Sequence, residues 1–247
     1  EEVFAEFQEI LKEAGEFERV KEGAIDYTTG VSSCAPAYAY MFIEELAKAL
    51  SEDGYIAGFR ATKALSGRGV IFVPCVNPDG CEISVLGAKG CGSLADTIGR
   101  LCNFDFKHWN ANLRGVDINH NFDADWDELR QKEREMGILG PSPTRFGGPR
   151  PESEPETIAL TELCRKGVIR HVTALHSQGE VIYWGYGRRE PSRSRRMAEI
   201  MATSSGYALD IPSPIAQGGG FKDWFIKEFN RPGFTVELGQ GENPLPP

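Results

Sequence analysis

The sequence predicts an α/β fold, a mixed, largely parallel twisted sheet sandwiched by helices. Segments of helical and strand periodicity alternate along the chain, and its strand-like segments are β-branched and apolar. At 247 residues the chain is long enough for one sizeable buried core. We expect a single domain over 1–247, since no internal repeat or low-complexity linker interrupts it.

Residues 3–14 place Phe4, Phe7, Ile10 and Leu11 at helical spacing, and 35–50 repeat the pattern with Met41, Phe42, Leu46 and Leu50. Between them, 23–33 is short and polar, with a turn at Thr28, Thr29 and Gly30. Residues 70–74 are β-branched and apolar on both faces, as in a central strand, and Asn77-Pro78-Asp79-Gly80 then predicts a turn. The stretch 88–114 is irregular and aromatic, the character of a long loop that borders a site. A Pro- and Gly-rich surface loop over 141–155 feeds a helix over 156–166, whose acidic start suits the helix dipole. Strands are expected at 168–175, 181–184 and 233–238, and helices at 194–206, ending on a Gly cap, and at 223–229.

Composition excludes several function classes. A formal net charge of -9 argues against sequence-independent nucleic-acid binding, which relies on clustered Lys and Arg. The basic run from Arg188 to Arg196 fits a solvated loop and helix start. No apolar run reaches the ~20 residues that cross a bilayer. The six cysteines form no Cys-x-x-Cys pair and fit free or buried thiols of a reducing compartment. The first residues carry neither a basic nor an apolar leader region, so a signal peptide is either absent or already removed, and the expectation is a cytoplasmic protein without a membrane partner.

Several polar residues stand where chemistry is expected. His176 follows an apolar strand and emerges at a carboxyl edge, where open α/β sheets place ligands; the alternative is a hydrogen-bonded histidine at a strand end. Glu237 lies inside an apolar strand, where a carboxylate must be paired, exposed at an edge, or functional. Asp117, Asn119 and His120 form either a ligand-free loop network or part of a binding site. Lys222 is either a solvated lysine at a helix start or a charge that selects an anionic ligand.

Four segments bear on these alternatives by their order and spacing. Gly115-Val116-Asp117-Ile118-Asn119-His120-Asn121-Phe122, His176-Ser177-Gln178-Gly179, Gly218-Gly219-Gly220-Phe221-Lys222-Asp223-Trp224 and Phe234-Thr235-Val236-Glu237-Leu238-Gly239 together resemble the zinc carboxypeptidase family. The resemblance implies a zinc cofactor with His176 as its third protein ligand, and Glu237 as the general base that takes a proton from the attacking water and delivers it to the leaving amine. It implies substrate-binding roles for Asn119 and His120, in the place of the family's Asn-Arg pair. Histidine there is a departure, because arginine offers a permanent bidentate fork and histidine a charge only when protonated. Asn110 stands where the family often has a basic residue for the oxyanion, which makes Arg114 a substitute candidate. Lys222 matches the floor of the pocket for the released residue, and Ile215 replaces a tyrosine common in the family.

The same segments, with Gly239-Gln240-Gly241-Glu242-Asn243-Pro244 after them, are similar to the bacterial branch that cleaves γ-D-glutamyl-meso-diaminopimelate bonds in cell-wall peptides. A pocket lysine would meet the distal carboxylate of diaminopimelate. The expectation is a metallopeptidase acting on small peptides with an acidic or diaminopimelate-like residue; the alternative is a metal-free, non-catalytic peptide or cell-wall-fragment binder of the same fold. A metal-independent hydrolase built on Ser177 or a cysteine ranks last, because no His-paired nucleophile is visible.

One family feature is missing. The His-x-x-Glu that supplies two of three zinc ligands occurs nowhere in the chain, and the matching region, 27–34, holds neither residue. Two explanations follow: a segment near 30–31, and with it the C-terminal helix, is absent from this chain, or metal and activity have been lost. The first is favoured, because His176 and Glu237 have no evident structural reason to persist together.

Overall fold

The computed structural model describes residues 54–56, 59–64, 66–212 and 217–241. The expected helices over 3–14 and 35–50, the polar segment 23–33, Cys34, Ile215, the 30–31 step and the final residues 243–247 lie outside the described residues.

A short antiparallel pair, β1 (Tyr55–Ile56) and β2 (Phe59–Arg60), leads into one helical turn, α1 (Ala61–Ala64). Helix α2 (Pro78–Leu86), a 3-10 stretch (Gly87–Leu94) and α3 (Ala95–Leu101) follow, packing Ile83, Cys91, Ile98 and Trp109 into one cluster. A 3-10 turn (Ile118–His120), α4 (Trp126–Glu135) and α5 (Pro155–Lys166) precede the main sheet. That sheet is built from β3 (Val172–His176), β4 (Val181–Tyr183), β5 (Ala208–Asp210) and β6 (Gly233–Glu237), with α6 (Ser194–Ser205) and α7 (Phe221–Phe229) between them.

The strand order is β3-β6-β4-β5, with β3 parallel to β6, β4 antiparallel to β6 and β4 parallel to β5. The mixed, largely parallel sheet expected from the sequence is present. Strand β6 is interior because its Gly-Phe-Thr-Val run is buried throughout. Alternation sends Phe234 and Val236 to one face, against Ile182 and Ala198 of α6. The opposite face belongs to the cluster of Val172, Cys164, Trp224, Phe225 and Ile226, so α5 and α7 cover it. Among the described residues, helices thus cover both faces of the sheet, while β3 and β6 end on His176 and Glu237 at its carboxyl edge.

The structure corrects several expectations. Residues 70–74 form no strand: Val70, Ile71 and Val73 are exposed, and no ladder partner meets them among the described residues. The Asn77-Pro78-Asp79-Gly80 turn is instead the start of α2. Asn77 caps it by accepting the Gly80 N–H at 2.9 Å, Pro78 fills the first turn, where no N–H is needed, and Asp79 suits the dipole. The stretch 88–114 holds the 3-10 segment and α3 rather than a continuous loop. The helix expected at 223–229 begins earlier, at Phe221, and the strand expected at 168–175 narrows to β3.

Helix α4 was not legible, because its inward face is not apolar. It buries Trp126 and Leu129 but also Arg130 and Glu133, so the hydrophobic period is broken by an ion pair. The five described cysteines are free thiols, with the Cys75 and Cys81 sulfurs 3.6 Å apart. No helix among the described residues is long and apolar enough to cross a membrane.

Candidate active site at the carboxyl edge of the sheet

His176 and Glu237 are the last residues of neighbouring parallel strands and stand in register with one another. Register partners in a parallel pair point to the same face, so the imidazole and the carboxyl group leave the sheet side by side. The alignment continues past the strand ends: Leu238 N–H donates to the His176 carbonyl at 2.8 Å, and Gly179 N–H donates to the Gly239 carbonyl at 2.8 Å. The Ser177–Gln178 peptide between them is cis.

Burial acts on both groups. It raises the Glu237 carboxyl to about 7, so near neutrality the group exists in both protonation states. Burial also lowers the His176 imidazole, against a smaller opposing pull from the Asp117 charge. A neutral ring with a free lone pair is the form that ligates metal. Tyr183 on β4 has its hydroxyl raised by burial and then by the charges of Glu237 and Asp210, which places it within electrostatic reach of the same edge.

The Asp117 to Asp125 segment packs beside this edge. Asp117 caps the 3-10 turn, accepting from Asn119 N–H at 3.2 Å and from Arg145 N–H at 2.8 Å. Asn119 Oδ1 accepts from Phe221 N–H at 3.1 Å, which ties the turn to α7 and leaves the Nδ2 amide as its remaining donor. His120 Nδ1 lies 2.8 Å from Glu133 Oε1. The glycine loop closes over this segment: Gly219 N–H donates to Ala124 O at 2.7 Å, and Phe122 N–H donates to Gly219 O at 2.9 Å.

Gly219 has φ +69, and a Cβ there would stand 2.2 Å from Leu129 Cδ2 and 2.9 Å from the His120 carbonyl oxygen. Gly219→Ala is therefore expected to cost about 2–3 kcal/mol, from the positive φ and the close contact together, read as a lower urea midpoint at unchanged m-value.

The other sequence-predicted residues are placed differently. Lys222 is 5% exposed; its Nζ donates to the Gly185 carbonyl at 2.7 Å, contacts the Asp223 carboxylate and lies 5.9 Å from the Tyr186 ring centre. An ammonium has three donors, so one remains after Gly185 and Asp223. Arg114 has a side chain 66% exposed and pairs with Glu154 at 3.7 Å, in a network with Asn112, rather than with the sheet edge. Two residues that sequence reasoning passed over are Asp117 as an electrostatic partner of His176, and Glu133. The first had a signal in the Asp-x-Asn turn; the second, inside a charged helix, had none.

Among the described residues, no group of three or more His, Cys, Asp or Glu side chains is arranged to hold a metal ion. His176 is a suitable donor, but a catalytic zinc takes three protein ligands. The described residues alone do not fit that ion.

Residues 33–247 match the family model described as zinc carboxypeptidase. The chain is 37% identical over 210 residues to gamma-D-glutamyl-L-diamino acid endopeptidase 1 of Lysinibacillus sphaericus, covering 83% of this chain and 51% of that protein. It is 37% identical over 191 residues to the uncharacterised YqgT of Bacillus subtilis (strain 168), covering 76% and 50%. The chain thus spans about half the length of the curated relatives it matches. The structure resembles that of thrombin activatable fibrinolysis inhibitor, with a TM-score of 0.57 at 19% identity over 85% of this chain and 52% of that one. At that identity the likeness speaks for the fold alone.

Proposed function

Because this chain belongs to the zinc carboxypeptidase family, we propose that it is a zinc-dependent peptidase acting on small peptides with an acidic or diaminopimelate-like residue, such as those of cell walls. The observation that carries this reading is the register of His176 with Glu237 at an open sheet edge. Glu237, raised to about 7, is suited to take a proton from the attacking water and return it to the leaving amine as the C–N bond breaks. His176 is the donor this chain contributes to a metal, and Asn119, His120 and the remaining Lys222 donor orient the peptide. The described residues do not by themselves complete a zinc site.

Substrate class finds support beside the glycine loop. A cleft of about 170 Å³ there is lined by Asp125, Glu128, Lys132, Tyr186 and Gln217, carrying both signs of charge. That mixture complements a side chain ending in an ammonium and a carboxylate. The absence of His-x-x-Glu from the sequence favours a second reading, a non-catalytic binder of the same peptides.

Incubation with γ-D-glutamyl-meso-diaminopimelate, with added Zn²⁺ or with a chelator, separates the two by mass spectrometry. Release of free diaminopimelate that requires zinc is expected. Calorimetric binding of a peptide that stays intact under both conditions would establish the binder instead.

A further inference from the structure

His120 is tied into a buried polar chain that the peptidase chemistry does not itself require. Glu133, on α4, is 2% exposed and accepts from Gly147 N–H at 3.2 Å and from the Arg130 guanidinium through one oxygen, while its other oxygen faces His120 Nδ1 at 2.8 Å. Arg130 is itself buried, with its guanidinium 4.7 Å from the centre of the Phe146 ring. A carboxylate only accepts hydrogen bonds, so Nδ1 must donate. The ring's one remaining polar atom is Nε2. In a neutral ring Nε2 would be an acceptor and would repel a peptide carboxylate; in a charged ring it is a donor and would bind one.

We infer that Glu133 is a positioning residue that fixes His120 with Nδ1–H turned inward and makes Nε2–H a carboxylate-binding donor, gripping an acidic peptide while His120 is protonated and releasing it as the proton leaves. This rests on the peptide-binding role proposed above for His120, but not on a bound metal, and it holds whether the peptide is cut or only held. The charged groups facing the ring are Asp117 from its own turn, Glu133 from α4 and Arg145 from the loop between α4 and α5, with Arg130 acting through Glu133. Burial works against a charged ring, but Asp117 and Glu133 outweigh it and the opposing Arg145, so His120 is held above the ordinary histidine range.

The test compares γ-D-glutamyl-meso-diaminopimelate with its carboxyl-terminal amide by calorimetry across pH, in chelator so that no turnover occurs. The free acid is expected to lose affinity about tenfold as His120 deprotonates, the difference between a charge-assisted and an ordinary hydrogen bond, while the amide stays level. His120→Arg should keep the acid tight at every pH. In the ring NMR spectrum, the His120 titration should move downward in Glu133→Gln. Should Glu133→Gln not fold, the acid and amide profiles of the unaltered chain and of His120→Arg decide alone. Parallel acid and amide profiles, or a His120 titration unmoved in a folded Glu133→Gln, would overturn the inference. Peptide that fails to bind at any pH would instead overturn the proposed function.

Discussion

Glu237→Gln is expected to lose 10²–10⁴-fold in kcat, the usual worth of a positioned general base, with KM little changed. The amide keeps the size and hydrogen-bonding capacity of the carboxyl group but cannot accept the proton of the attacking water. In the unaltered chain, kcat should fall about tenfold per pH unit below about 7, because only the ionised carboxyl is a base.

The same substitution should stabilise the fold. A carboxyl raised from 4.5 to about 7 binds its proton more tightly in the native state, so the native chain loses stability as pH rises through that window. Gln carries no such penalty. The full shift would correspond to about 3 kcal/mol, and partial exposure of Glu237 reduces it to about 1–2 kcal/mol. Thermal melts should thus show Glu237→Gln more stable than the parent at pH 8 and equal to it near pH 4. A loss of activity without this pH-dependent gain would mean that the carboxyl group is solvated rather than held at a dry edge.

His176→Ala carries the second large effect. If the imidazole is the chain's contribution to zinc, its loss should remove zinc-dependent activity altogether, at least 10²-fold, and lower zinc retention on dialysis. His171→Ala makes the control, since that histidine is exposed and lies just before β3. The melting temperature should change little in either variant when zinc is absent, because His176 is half-buried at a strand end and fills no core cluster. Equal zinc retention by His176→Ala and the parent would remove His176 from the metal's ligands.

Much of the site was legible because its residues sit on strongly patterned elements. Gly233 to Val236 is apolar and buried, so a carboxylate at its end stands out, and His176 ends a strand for the same reason. Their register was not legible: it is a pairing of segments 61 positions apart, fixed by the sheet. Asn77-Pro78-Asp79-Gly80 misled because the residues that make a turn also make a capped helix start. The engagement of the Lys222 ammonium by Gly185 and Asp223 was only partly legible, since Asp223 is its chain neighbour but Gly185 lies 37 positions away. Glu133 was invisible because its role depends on a histidine 13 positions away and on Gly147, which approaches from another loop.

Paramagnetic NMR with Co²⁺ in place of zinc tests directly whether the His176 ring and the Glu237 carboxyl serve one centre. The chain has four histidines, so their ring signals can be followed individually. Added Co²⁺ should shift or broaden the His176 ring and the Glu237 carboxyl together, ahead of His108 and His171. Strong effects on those other histidines, with His176 and Glu237 untouched, would contradict a shared centre.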